Sequence, residues 1–393
     1  MKYILLISSI VLLLRCGKKD EIISFEHKTI TFKLNFEPNH MLSGLHKGKN
    51  AESSFYYFGE LKTNKKIDFY QESGKQLNSI NLKTFIKELG SDEIRDLAVM
   101  NKDSILLFSE KTNSIYLINS RGKLLKKINI NKIRDDYTCD LFSSIYHNFY
   151  DTKNESLIFA QNWSINNQFP DSLTKSEEII QQHYNQKRMI PKYVQVKNVL
   201  ENNGAKIENH LAGFNAKLFP KNSLSFEFDY YYLSGDLLFF SSWYSDKIMV
   251  YDLLEKKIVR KVKIQSNFTK TYSKTLDINR ESINEINDYI RLCGSFNGQI
   301  NRFFYDPENK LLYVLVYHEQ KNHRSHYYGV NRDWSLLVYD HSNNKIYEKA
   351  FKHDQYSIGF SLFTDQGLLV RKFNENGAEN QIDFDCFSPI LNR

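Results

Sequence analysis

A four-beat pattern of short apolar segments and turn residues recurs along this chain, and it restricts the fold more than any other feature. Residues 96–100, 104–109, 114–119 and 123–130 are short apolar or alternating runs. They are separated by Asn101-Lys102-Asp103, Lys111-Thr112-Asn113 and Ser120-Arg121-Gly122. Four short strands joined by tight turns make an antiparallel meander. The same order returns at 226–264 and 302–351. Third strands match closely, Ile248-Met249-Val250-Tyr251-Asp252 against Leu336-Leu337-Val338-Tyr339-Asp340. They begin near Ile67, Ile115, Ile248, Leu336 and Ile382, and the widest interval holds one more unit, with strands at 156–161 and 193–197. Six units at a spacing of about 40–50 residues predict a β-propeller, since no unit can bury both faces alone.

The last unit, 359–387, supplies only three strands, and the strand-like segment 28–36 lacks a unit. The N-terminal segment is expected to become the outer strand of the last blade, which removes a free sheet edge. The expected fold is all-β: a six-bladed β-propeller of four-stranded antiparallel blades, closed by an N-terminal strand. Short helices are expected in loops on one face, at 172–187 and 277–292. The second carries the capping pattern Ser282-x-x-Glu285 and apolar Ile283, Ile286 and Ile290 at helical spacing.

The head of the chain reads as an export signal. Lys2 precedes an apolar run from Ile4 to Leu14, too short to span a bilayer. Leu13-Leu14-Arg15-Cys16 resembles a bacterial lipobox, with Arg15 where a small residue is usual. This predicts a signal peptide at 1–15, lipidation of Cys16, a tether at 16–27 and a propeller at 28–393. Gly17-Lys18-Lys19-Asp20-Glu21 is similar to the segment after the cysteine in Bacteroidota lipoproteins. Together with the repeats, it makes residues 16–393 resemble the Bacteroidota six-bladed, TolB-like propeller lipoproteins, many of unknown function. That resemblance implies a cell-envelope protein of the outer membrane, exposed on its outer leaflet. It implies nothing about catalysis.

The formal charge is +7 in 393 residues, without a dense basic stripe, which argues against nucleic acid. Cys139, Cys293 and Cys386 are far apart and form no Cys-x-x-Cys, which argues against zinc and for buried thiols or a single disulfide. No Gly-x-Ser-x-Gly, His-Glu-x-x-His or phosphate-cradling glycine loop occurs. No cofactor is expected, and the protein is read as a monomer.

In a propeller blade, the turns between strands one and two and between three and four share one face. Here they are short, as at 101–103, 234–235, 306–309, 341–344 and 364–366. The opposite face receives the long insertions 162–191, 265–300 and 318–333. Function is often carried by loops on a rigid scaffold, so that face is the candidate binding surface. Trp163, Trp243 with Tyr244, and Trp334 border its loops. One insertion gathers His323, Arg324, His326, Tyr327, Tyr328 and Arg332. Indoles stack on sugars or grip peptides, and Arg offers a planar fork for carboxylate or phosphate. The reading is a non-enzymatic binding or scaffold protein, held to a membrane by lipid, with a protein or glycan partner. The alternative is a calcium-dependent, lactonase-like hydrolase using Asp151, Asp229 and Asp306 near first strands.

Overall fold

All four residues of Phe55-Tyr56-Tyr57-Phe58 are buried, yet they serve two separate cores. Side chains on a strand alternate between faces, so a strand apolar on both faces must lie between two neighbours. The computed structural model shows how. It describes residues 22–37, 42–46, 54–89, 94–101, 103–109, 112, 114–129, 140–142, 150–151, 156–162, 193–197, 206–211, 223–224, 229–242, 245–269, 276–277, 298–319, 332–373 and 380–391.

Strand β1 (Ile22–Lys33) comes first and finds its partner last. Blade 1 is β2 (Leu42–His46), β3 (Phe55–Glu60), β4 (Lys66–Tyr70) and β5 (Gln76–Asn81), followed by helix α1 (Lys83–Glu88). Blade 2 is β6 (Ile94–Asn101), β7 (Ser104–Ser109), β8 (Ser114–Ile118) and β9 (Leu124–Asn129). A five-stranded sheet follows, from β10 (Asp140–Phe142), β11 (Tyr150–Asp151), β12 (Ser156–Asn162), β13 (Tyr193–Lys197) and β14 (Lys206–Leu211). A small ladder joins β15 (Ser223–Leu224) to β20 (Leu276–Asp277). Blade 3 is β16 (Asp229–Ser234), β17 (Leu237–Ser242), β18 (Lys247–Asp252) and β19 (Lys257–Lys263). Blade 4 is β21 (Gln299–Asp306), β22 (Leu311–Tyr317), β23 (Trp334–Tyr339) and β24 (Lys345–Phe351). Blade 5 takes β25 (Tyr356–Thr364), β26 (Gly367–Lys372) and β27 (Gln381–Leu391), and β1 completes it.

This is an all-β propeller of four-stranded antiparallel blades. First strands stand side by side: β2 against β6, β16 against β21, β21 against β25, and β25 back against β2. Separate apolar cores fill the seams between blades 1 and 2, 3 and 4, 4 and 5, and 5 and 1. The five-stranded sheet touches blade 2 through β11 and β6, and shares a core with blade 3. There the Tyr231 hydroxyl donates to the Ile158 carbonyl at 3.2 Å.

One expectation needs correction: six four-stranded blades were expected and five are seen. Five sheets have the four-stranded form; the sheet between blades 2 and 3 departs from it, because β10 and β11 divide one edge of β12 end to end. Helices were expected in 172–187 and 277–292. Apart from Asp277 in β20, those stretches lie outside the described residues. The one helix among the described residues, α1, instead plugs the seam between blades 1 and 2 with Phe85 and Ile86. Its N-cap residue Leu82 makes no capping bond, so tertiary burial holds it. Among the described residues no helix is long and apolar enough to cross a membrane.

One turn recurs between the third and fourth strands. In blades 2 and 4, the side chain of Asn119 or Asp340 accepts N–H groups two and four residues on, at 2.7–3.0 Å. A left-handed residue follows: Gly74, Gly122, Lys256 or Asn343 in blades 1 to 4. Each of those strand pairs then slips by a bulge at the same place. Such a bulge strengthens local twist. Gly74 is irreplaceable for a second reason, since a Cβ there would meet the Thr31 carbonyl oxygen at 2.5 Å.

β1 begins at Ile22, earlier than the expected Lys28, so part of the expected tether is strand. It pairs with β27 from Ile22↔Leu391 to Lys33↔Gln381. The Thr29 hydroxyl donates to Asp385 at 2.7 Å, and Tyr70 of blade 1 donates to the Lys33 carbonyl at 2.6 Å. Fully buried Asp68 accepts the backbone N–H of Asn35 at 2.8 Å. Phe32 is packed among Tyr56, Phe58, Tyr70 and Phe384, with ring centroids 4.9–5.9 Å away. Phe32→Ala should cost about 3–5 kcal/mol. Denaturant unfolding checks this; a loss below about 1 kcal/mol, the ordinary effect of a point mutation, would deny β1 its closing role.

Candidate functional site

The 318–333 insertion leaves blade 4 through a stem that folds back on itself. The His318 N–H donates to the Asp333 carbonyl at 2.8 Å. Arg332 donates through Nε and Nη2 to the His318 carbonyl at 3.1 and 2.6 Å. Its guanidinium also lies 5.2 Å from the Tyr317 ring centroid. Burial pushes the Arg332 pKa down to about 10, opposed by Tyr317. The group therefore keeps its charge at neutral pH.

Adjacent residues of β23 then sort to opposite faces. Trp334 turns toward blade 5 and is 0% exposed. Its ring stacks on Phe351 at 4.4 Å and meets Tyr356 edge-on at 5.9 Å. Ser335 sits on the other face, where its hydroxyl lies 2.7 Å from His318 Nε2. The His318 ring stacks on Phe268, with centroids 5.5 Å apart and planes at 13°. Phe268 belongs to the segment leaving blade 3, and it is half exposed. That segment is pinned along blade 4: Ser266 and the Asn267 N–H donate to Glu348 at 2.6 and 2.9 Å. Thr269 Oγ1 accepts the Glu319 N–H at 3.3 Å.

Asp333 ties the stem to the link into blade 5. Its carboxylate accepts Lys352 Nζ at 2.8 Å and the His353 backbone N–H at 3.0 Å, with His353 Nδ1 at 3.1 Å. Burial raises the Asp333 pKa, but the bonds from Lys352 and His353 outweigh it and hold the group below the usual carboxylate value. Burial lowers the His318 pKa; Asp333 and Glu348 oppose the shift, and Arg332 and Lys352 assist it.

These positions correct part of the sequence reading. Trp334 was expected among the contacts of the binding face; it is core, because its strand position faces blade 5. Arg332 was expected as an anion fork; at 2% exposed, it clasps the insertion's own stem. Cys16, Trp163, Trp243, Tyr244, His323, Arg324, His326, Tyr327 and Tyr328 lie outside the described residues. Of the residues that build the stem, His318 was read only as the start of the insertion, and Phe268, Asp333, Ser335, Lys352 and His353 were missed. A polar Ser335 interrupting an apolar strand was their one legible signal. Among the acids proposed for calcium, Asp306 accepts the backbone N–H groups of Glu308 and Asn309 at 3.0 and 3.1 Å. That is turn chemistry. The side chains of Asp151 and Asp229 are outside the described residues. Among the described residues, no group of three His, Cys, Asp or Glu side chains is placed to hold a metal ion. Cys386 is a buried free thiol.

Fold and stem together define a propeller with one elaborated face. The chain belongs to the family described as Domain of unknown function (DUF4221), whose model matches residues 16–350. A solved member of that family from Bacteroides vulgatus is 16% identical, with a TM-score of 0.69 over 95% of this chain and 99% of that one. A candidate exported protein from Bacteroides fragilis is 12% identical, with a TM-score of 0.50 over 95% of this chain and 98% of that one. At such identities the likeness shows the fold. A search of curated protein sequences found no match.

A depressed histidine stabilises the fold only while neutral. The unfolded chain binds the proton more readily, so the contribution of His318 is present above its ordinary value of 6.5 and is lost as pH falls below that value through the lower one of the folded state. His318→Gln should flatten the fall of Tm on acidification, relative to wild type, in thermal melts across that range. An unchanged pH profile would refute the assignment.

Proposed function

We propose that this protein is a lipid-anchored, exported, six-bladed propeller that presents its loop-rich face to a protein or glycan partner. The β10–β14 sheet acts as the blade between blades 2 and 3. Its seams with both neighbours support this, as does the sharing of one β12 edge by β10 and β11. Export is supported by the signal-like head of the chain and by the name of the Bacteroides fragilis relative.

One observation carries the binding reading: the 318–333 insertion stands on a stem fixed at both ends and on both flanks. Arg332 and His318 close its base, Phe268 and Thr269 hold one side, and Lys352 and His353 hold the other. A base fixed in this way leaves less of the chain to be ordered on binding, which lowers the entropic cost. The basic and aromatic group at His323, Arg324, His326, Tyr327 and Tyr328 is then carried on a rigid base, with Trp163, Trp243 and Tyr244 as further contacts.

Capture of envelope proteins and glycans by wild type, Arg324→Ala and Trp243→Ala tests the reading. Wild type should retain a partner that both variants lose, with Tm unchanged. Retention of every partner by correctly folded variants would place the working surface elsewhere.

A further inference from the structure

The direction of β1 decides which side of the ring faces the anchor. β1 runs antiparallel to β27, with Ile22 beside Leu391. β27 is the third strand of blade 5, and its Leu391 end corresponds to the ends of β4, β8, β18 and β23. In the other blades those ends carry the short turns, at 71–75, 119–123, 253–256 and 340–344. The chain therefore enters the ring on the short-turn side. Phe25 marks the spot. It packs 4.6 Å from the Tyr347 ring and 6.4 Å from Tyr313, beside the β23–β24 turn of blade 4.

The reach of the anchor is limited. Only residues 17–21 separate Cys16 from Ile22. Fully extended, that stretch spans about 20 Å. β1 itself has 12 residues, or about 40 Å of strand. A lipid on Cys16 cannot pass along β1 to the face that bears the long insertions.

We propose that the short-turn side, at the seam of blades 4 and 5, rests on the lipid leaflet that holds the anchor, and that the long insertions point away from it. This rests on the lipid-anchor reading above. Ile390 and Leu254, 47% and 73% exposed, lie on the side proposed to meet headgroups. Exposed Phe268 and Phe373 lie on the other side, so the path of the chain sets the orientation, not an apolar bias. The partner surface and the membrane are then on opposite sides of the ring.

The test uses full-length acylated protein carrying a dye at Ser342→Cys, in the β23–β24 turn, or at Asp354→Cys, in the link from blade 4 to blade 5. Both sites are exposed and lie in one sector of the ring. The protein is placed in phosphatidylethanolamine–phosphatidylglycerol vesicles with an energy-accepting lipid, and unsubstituted protein corrects for labelling of native cysteines. The Ser342 dye should lose emission to the acceptor while the Asp354 dye keeps it. Stronger loss at Asp354, equal loss at both, or no loss at either in vesicle-bound protein would overturn the orientation. Equal recovery of wild type and Cys16→Ala outside the vesicles would instead remove the anchor itself, and the orientation with it.

Discussion

Closure of the ring by β1 is the constraint on which the rest of this structure depends. Without it, β27 would present an open row of backbone donors and acceptors, and blade 5 would lose its outer strand. The seam between blades 5 and 1 would lose Phe32 and Ile30, and Asp68 would stay buried without Asn35. A buried carboxylate deprived of a donor is costly. The strand therefore completes a sheet and fills a core, and Asn35 just beyond it satisfies an acid.

Much of this was legible in the sequence. Strands buried on both faces read as continuous apolar runs, and Asp or Asn at strand ends announced the recurrent turns. Ring closure followed from counting, since one unit lacked a strand and one strand lacked a unit. What escaped did so for physical reasons. Helix α1 has six residues and no capping side chain, so neither periodicity nor a start signal exposes it. Trp334 and Ser335 differ in fate through strand alternation alone, and a one-residue difference in where β23 begins exchanges their faces. The Asp333 clasp joins residues on two connections whose closeness exists only once blade 4 has folded.

The stem also shows how a rigid scaffold can carry a variable insertion. Its bonds run largely through backbone groups and through side chains at the insertion's ends: the His318 carbonyl, the Asp333 carboxylate and the Thr269 hydroxyl. Glu319 and Arg332, just inside those ends, donate two of these bonds.

Pairing Ile22 with Leu391 has a consequence for the order of events in folding. β1, the earliest strand among the described residues, must wait for β27, the latest. Blades 1 to 4 can form as the chain lengthens, but blade 5 cannot be finished until β27 has been made. Contacts this distant in sequence are slow to form, and β1 stays unpaired through that interval. A chain kept extended until it has crossed a membrane would avoid the problem, because β1 and β27 would both arrive before any blade committed to a partner.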